Sequence, residues 1–185
     1  MGKKLFNRIK GTDNMPVVLV SFYDCQEFIK KLNNLNKGVY RLPTEMEWEY
    51  ACRAETTTAY SFGNAIDCSK AMYGNNQQKQ TDCIQHFKSM ELLPNQAAPV
   101  KSFAPNPWGF YDMHGNIWEW CADPYLDYKS HIIDTGYDPI KTDTRIKRGG
   151  SWYKYGFYCR SANRAYAHPG AKFQTTGFRL VLEAD

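Results

Sequence analysis

The chain has 185 residues, 43% of them hydrophobic and 15% aromatic, and a formal net charge of +4. A chain of this length hides roughly 70% of its unfolded surface as one domain, and its apolar content excludes a disordered chain. No stretch approaches the ~20 apolar residues of a membrane span, and the basic residues alternate with acids except at Arg145, Lys147 and Arg148, which argues against a nucleic-acid partner.

In chain order, the basic start MGKKLFNRIK has no apolar run behind it, so it is not a secretory signal as it stands and the expected localisation leans cytoplasmic. Phe6 sits where a myristoylation signal carries Ser or Thr. Residues 1–14 are taken as an extension and 15–185 as the domain. From Ser21, Cys25, Phe28, Ile29 and Leu32 recur at helical spacing, with Ser21 as N-cap, Asp24 three residues on and Gly38 past the end, which predicts a first helix. Thr44 and Glu47 after Pro43 form a capping box for a second, whose apolar face is expected at Met46, Tyr50 and Ala51 with Trp48 flanking. Residues 55–106 are rich in Thr, Asn, Gln, Gly and Pro without a period and read as long loops held by aromatics or ions. Strand-like stretches follow at 116–121, 146–153 and 177–182. The fold class is therefore α+β: two helices, short strands and much irregular loop.

Six cysteines stand at 25, 52, 68, 83, 121 and 159 without a Cys-x-x-Cys, which speaks against zinc. Cys25 and Cys52 read as buried thiols of the two helices. Cys68 and Cys83 bracket a polar loop that a disulfide would close in an oxidising compartment.

Five blocks occur in order: YRLPTEMEWEYACRA (40–54), NPWGFYDMHGNIWEWCAD (106–123), RGGSW (148–152), CRSANR (159–164) and GFRLV (177–181). Together they resemble the sulfatase-modifying factor family, to which the formylglycine-generating enzymes belong, and the resemblance implies a loop-rich relative of the C-type lectin fold. The family's N-terminal segment, with its first strand, has no counterpart in this sequence. Members that make formylglycine use two cysteines after Gly-Gly-Ser to bind copper(I), activate dioxygen and turn a substrate cysteine into an aldehyde, chemistry that suits two soft thiolates on one metal. Here the first of those positions falls on Lys154. The second falls on Cys159 if no gap is allowed, whereas aligning CRSANR on the family's downstream arginine block moves Cys159 off it. Ser151 resembles a family active-site serine. The resemblance thus implies Ser151 and Cys159 as the catalytic candidates if an oxidase survives, and no catalytic residues otherwise. His86, His114, His131 and His168 lack the spacing of a non-haem iron site.

The resemblance also implies a structural calcium in the turn 112–120, with oxygens from Asp112, from the carbonyls of Gly115 and Ile117, and from Glu119. Calcium takes six to eight hard oxygens, which a tight Gly-containing turn and two carboxylates can supply. The alternative is that these acids cap turns while Trp118 and Trp120 fill the core. Finally, Tyr153, Lys154, Tyr155, Phe157, Tyr158, Tyr166, His168, Lys172 and Phe173 lie between the fixed blocks. Tyr-rich loops with small residues have the composition of paratopes, although Tyr153 and Phe157 are the least secure as surface rings. The arrangement also resembles the variable proteins of diversity-generating retroelements. The expected function is a non-catalytic, calcium-stabilised module that binds a protein or glycan through this C-terminal surface. The alternatives are a formylglycine-generating oxidase acting on a sulfatase cysteine, and an accessory domain of a metalloenzyme; copper enters only with the first.

Overall fold

A computed structural model of the chain describes residues 14–77, 83–126 and 144–183, so all of the expected N-terminal extension but Asn14, and His131, lie outside the described residues. Helix α1 (Phe22–Asn33) begins as its sequence dictates: the Asp24 N–H donates to the Ser21 hydroxyl at 3.1 Å, and the Ser21 N–H donates to the Asp24 carboxylate at 2.8 Å. The exchange satisfies two backbone donors that a helix start leaves without partners. Phe22, Cys25 and Ile29 form its buried face, and Phe28 meets Phe178 edge-on at 5.6 Å. Strand β1 (Tyr40–Arg41) pairs antiparallel with the last strand, β6 (Val181–Leu182).

Helix α2 (Glu45–Arg53) carries the expected capping box between Thr44 and Glu47, but its faces are the reverse of the sequence expectation. Trp48 and Cys52 are buried, while Met46 is 83% and Tyr50 66% exposed. Two polar anchors turn the helix this way: the Trp48 indole N–H donates to Glu119 at 2.7 Å, and Glu45 and Glu49, one turn apart, face the buried Arg148. Buried polar partners outweigh the preference of Met and Tyr for the interior, because an unpaired buried charge costs several kcal/mol, roughly, against 1.5–3 for one apolar side chain.

A third helix, α3 (Cys83–Ser89), stands inside the stretch read as loop and buries Cys83, Ile84 and Phe87. Cys68 and Cys83 are joined as a disulfide. Buried asparagines replace regular hydrogen bonding elsewhere in the region. The Asn116 amide accepts from the Ala98 N–H at 3.0 Å and donates to the Ala98 carbonyl at 3.2 Å. Asn75 donates to the carbonyls of Leu93 and Gln96, both at 2.9 Å. Asn106 accepts from the N–H groups of Trp108 and Phe110 and donates to the Ala51 carbonyl.

Strands β2 (Trp118–Pro124), β3 (Arg145–Arg148), β4 (Ala165–Ala167) and β5 (Thr176–Gly177) form one sheet in the order β4-β3-β2-β5, antiparallel except for β2 with β5. The strand expected over 146–153 stops at Arg148 because Gly149 and Gly150 adopt φ of +100° and +80°. A Cβ on Gly150 would stand 2.5 Å from the Cys159 sulfur, so side-chain-free backbone is required there. The strand expected over 177–182 is split between β5 and β6. Three clusters fill the interior: one around Phe87, Phe103 and Trp152, one around Phe22, Leu42 and Trp120, and one around Trp48, Cys121 and Ile146. Among the described residues no helix is long and apolar enough to cross a membrane. The class is α+β with much irregular backbone, as expected, with three α-helices among the described residues in place of two.

Candidate functional site

The C-terminal loops grow out of a buried arginine. Arg148, fully buried at the end of β3, donates to the carbonyls of Asn163 (2.6 Å) and Ser161 (2.8 Å), pairs with Glu49, and stands 3.6 Å from Glu45. Its guanidinium also lies over the Trp48 ring. Arg164 closes the arrangement with two bonds to Glu45, at 2.7 and 2.8 Å. The segment between these arginines is thereby pinned at both ends to α2.

Inside that segment the two catalytic candidates are both inaccessible. Ser151 is fully buried and its hydroxyl has no hydrogen-bond partner. Cys159 is fully buried as well, and burial pushes its thiol up to about 12; copper(I) prefers a second soft ligand beside such a thiol. The neighbouring position of the pair holds Lys154, whose ammonium lies 5.1 Å from the Tyr158 ring centroid. These residues do not fit copper(I). Beside Cys159, the His114 ring makes two contacts that fix its tautomer: its Nε2 accepts from the Ser61 N–H at 3.0 Å, so its Nδ1–H donates to the Cys159 carbonyl at 2.8 Å. Burial holds His114 down to about 4 and pushes the Cys52 thiol, 3.7 Å from His114 Nε2, up to about 12. Both groups are neutral, so the close thiol and imidazole are not an activated pair.

Tyr153, Tyr155 and Phe157 are exposed, including the two rings least secure from sequence. Tyr155 and Phe157 lie nearly parallel at 6.5 Å, and Phe157 rests on half-buried Tyr158 at 4.0 Å. Phe173 is also exposed and covers the ammonium of Lys147 at 4.5 Å. The Trp152 indole donates to the Gln174 carbonyl at 3.5 Å, tying the two loops together. The structure does not bring the remaining candidates into one surface. Tyr166 faces Ile146 across β3 and β4, while Lys147 faces Ala165; directly opposed residues share a sheet face, so Tyr166 projects from the side opposite Lys147 and Phe173. It stacks on Tyr125 at 4.1 Å. Lys172 is held by Asp24 at 2.7 Å, and exposed His168 accepts the Gly170 N–H.

Asp112, Ile117 and Glu119 line one cavity of about 600 Å³. Asp112, Gly115 and Asn116 have φ of +58°, +100° and +60°, a tightly coiled turn whose Gly115 sits so close to the Met72 carbonyl that a Cβ would be 2.3 Å from it. One oxygen of Asp112 accepts the Lys101 N–H at 2.9 Å. Burial, with a smaller contribution from Glu119, pushes this carboxyl up. Glu119 is buried and accepts from Trp48, from Arg179 Nε, and from Arg179 Nη2 at 2.7 Å. A carboxylate has about four acceptor sites, so the turn retains one unbonded oxygen of Asp112 and one acceptor site of Glu119, with one net negative charge left over after Arg179. That set fits a calcium whose other ligands are carbonyls. Among the described residues no group of three or more His, Cys, Asp and Glu side chains stands together as a metal site.

Residues 2–184 match the model of the Sulfatase-modifying factor enzyme 1-like domain. The chain belongs to this family. It is 33% identical over 184 residues to the formylglycine-generating enzyme of Streptomyces coelicolor, covering 96% of this chain and 55% of that protein. Similarity to the serine/threonine-protein kinase pkn1 of Chlamydia caviae is 32% over 176 residues, 92% of this chain and 24% of the kinase. The chain thus spans about half or less of these relatives. Among solved structures, PvdO from Pseudomonas aeruginosa superposes with a TM-score of 0.77 at 27% identity, over 96% of this chain and 65% of that one. Treponema denticola variable protein 1 superposes with a TM-score of 0.67, also at 27% identity, over 93% of this chain and 73% of that one.

Within the sulfatase-modifying factor family frame, sequence reasoning quoted Arg148, Arg164 and Arg179 as parts of blocks but missed that each is the partner of a particular acid. The i, i+4 pair Glu45 and Glu49 was the available signal. Replacing Arg148 by Met should lower stability by about 3–5 kcal/mol, the cost of stranding a buried charge partner. Replacing Arg41, whose Glu47 pair is half exposed, should cost about 1 kcal/mol or less. Urea denaturation of the two variants measures the contrast, and similar losses at both sites would contradict the assigned role of Arg148.

Proposed function

We propose that this domain is a non-catalytic ligand-binding module that engages a protein or glycan through Tyr153, Lys154, Tyr155, Phe157, Tyr158 and Phe173. The observation that carries this reading is the exposure of Tyr155 (44%) and Phe157 (47%) as a stacked pair on a segment anchored by the buried Arg148 and the partly buried Arg164. Soluble proteins seldom leave clustered aromatic rings in water unless the patch has a partner, and Tyr offers large contact area at low entropic cost. The similarity to a variable protein of Treponema denticola is consistent with a scaffold whose surface loops change while its core does not. The second reading, an oxidase acting on a sulfatase cysteine, is favoured by the names of the relatives, but Lys154 stands where a second soft ligand would be needed and leaves Cys159 a single thiol. Tyr166, His168 and Lys172 are left out of the proposed surface for the reasons of placement given above.

The same proposal includes a structural calcium held by Asp112, the carbonyls of Gly115 and Ile117, and Glu119. Bound there, the ion would supply positive charge that fixes the turn between the half-buried Asp112 and the buried Glu119. The residues themselves orient the turn through Lys101, Trp48 and Arg179.

Two measurements test these statements. A displayed random-peptide library panned on the wild-type domain should yield ligands that bind a Tyr155→Ala/Phe157→Ala variant at least about tenfold more weakly, since central aromatic contacts dominate interface energies; ligands that bind both proteins equally would contradict the aromatic face. Chelation should lower the melting temperature by several degrees, as expected for loss of a ligand that binds the folded state, and Asp112→Ala should abolish that sensitivity. A melting curve indifferent to chelator in the wild type would remove the calcium.

A further inference from the structure

The loop that carries the aromatic face lies along the stretch 66–76, which contains no helix or strand. The Asn75 N–H donates to the Trp152 carbonyl and the Gly74 N–H to the Lys154 carbonyl, both at 2.8 Å. Gly156 sits so close to this stretch that a Cβ there would stand 2.6 Å from Ile66 Cγ2 and 3.2 Å from the Tyr73 ring. The Tyr60 hydroxyl, a little upstream, donates to the Gly156 carbonyl at 3.0 Å. The backbone at Trp152, Lys154 and Gly156 is therefore set from below by 66–76 as well as from its ends by the two arginines, and that backbone aims Tyr153, Tyr155 and Phe157.

One hold on this floor is covalent. Half-buried Cys68 is joined to Cys83, the first residue of α3. Met72, Cys83, Phe87 and Trp152 share one core cluster, with Cys68 and Tyr73 packed against it. At the far end Asn75 donates to the carbonyls of Leu93 and Gln96, and its own carbonyl accepts the Asn95 N–H at 3.0 Å. Helix α3 has seven residues, short of the ~12–15 that an isolated helix needs, so it depends on these contacts and on the bridge. A bridge between residues 15 apart takes freedom from every opened state of the loop it closes. Stretches with few regular hydrogen bonds open before the rest of a domain does, so cutting the bridge acts first on 66–76.

We infer that the Cys68–Cys83 bridge is a redox latch on the aromatic face. Closed, it holds 66–76 beneath Trp152, Lys154 and Gly156, and the face binds; reduced, this floor opens while the rest of the domain stays folded, and the face loses its ligand. This rests on the aromatic face being the binding surface. The reductant is a dithiol. Its thiolate attacks the Cys68 sulfur, the more exposed of the two, Cys83 leaves as a thiolate, and the second thiol of the reductant displaces Cys68 from the mixed disulfide. The S–S bond of the protein breaks, both sulfurs end as thiols with one proton each, and the reductant ends as a disulfide. The other four cysteines are already free thiols, and buried, so a dithiol changes the bridge alone.

The test uses the full domain, peptides selected from the random displayed library on the oxidised protein, and dithiothreitol, with alkylation and mass spectrometry to count reduced Cys68 and Cys83. Complete reduction should weaken the peptides at least about tenfold, and re-oxidation should restore them. The Gly74 and Asn75 amides should lose hydrogen-exchange protection while those of α1 and β2 keep it. A Cys68→Ser/Cys83→Ser variant should bind at the reduced level with or without dithiothreitol. Peptides lost on Tyr155→Ala/Phe157→Ala but bound equally by the reduced domain would overturn the latch and leave the aromatic face standing. The latch also fails if dithiothreitol cannot open the bridge in the folded domain, or if reduction strips protection from α1 and β2, which would make the bridge a staple of the whole fold. Peptides indifferent to the aromatic variant would overturn both readings.

Discussion

The buried guanidinium of Arg148 is the interaction on which the rest of the domain depends. It satisfies two carbonyls of the 159–164 segment, both acids of one face of α2, and the ring of Trp48. Arg can do this where Lys cannot, because its planar fork donates in several fixed directions at once and holds its charge when desolvated. Through it the end of β3, the middle of α2 and the far end of the aromatic loop become one rigid unit. Arg179 repeats the device at Glu119, the residue opposite Arg148 in the β2–β3 ladder, joining it to the Tyr111 carbonyl. Few regular elements are needed because such polar latches, with the buried asparagines, do the work that sheet and helix ladders do elsewhere.

That construction also explains how structure and proposed function are divided. Ser151, Cys159, Gly150 and Trp152 face inward and pack to the limit of contact, while the residues between them, Tyr153, Tyr155 and Phe157, face outward. A loop pinned at both ends by paired arginines tolerates a change of exposed side chain with little consequence for folding. The position that the family resemblance gives to the first thiol of formylglycine-generating members holds here the half-buried Lys154, and Cys159 is sealed beneath Gly150; the proposed binding role rests on the rings exposed around them.

Much of this was legible in the sequence where the signal is local. Both capping boxes are written in three residues each, and Ser21 and Thr44 start their helices as expected. The family blocks gave the fold, and the exposed rings of the C-terminal loops followed from their position between blocks. What was not legible depends on contacts distant in sequence. The buried face of α2 is chosen by Glu119 and Arg148, 71 and 99 residues away from their partners Trp48 and Glu49, and periodicity alone favoured Met46 and Tyr50. Helix α3 is short and polar in composition, and it owes its place to Phe87 in the core and to the Cys68 bridge. Gly149 and Gly150 ended a strand that β-propensity extended. Tyr166 was grouped with Phe173 because both lie in the same stretch of chain, whereas the register of β3 with β4 sends them to opposite faces.

The account turns on whether a sealed thiol and a lysine have replaced a working thiol pair. The most direct measurement is mass spectrometry of a Cys-x-Pro-x-Arg peptide incubated with this domain, copper(I), dioxygen and a reductant, with the formylglycine-generating enzyme of Streptomyces coelicolor run alongside. The account predicts that the peptide cysteine remains intact with this domain and is converted by the enzyme. Conversion of the cysteine to an aldehyde by this domain would contradict it.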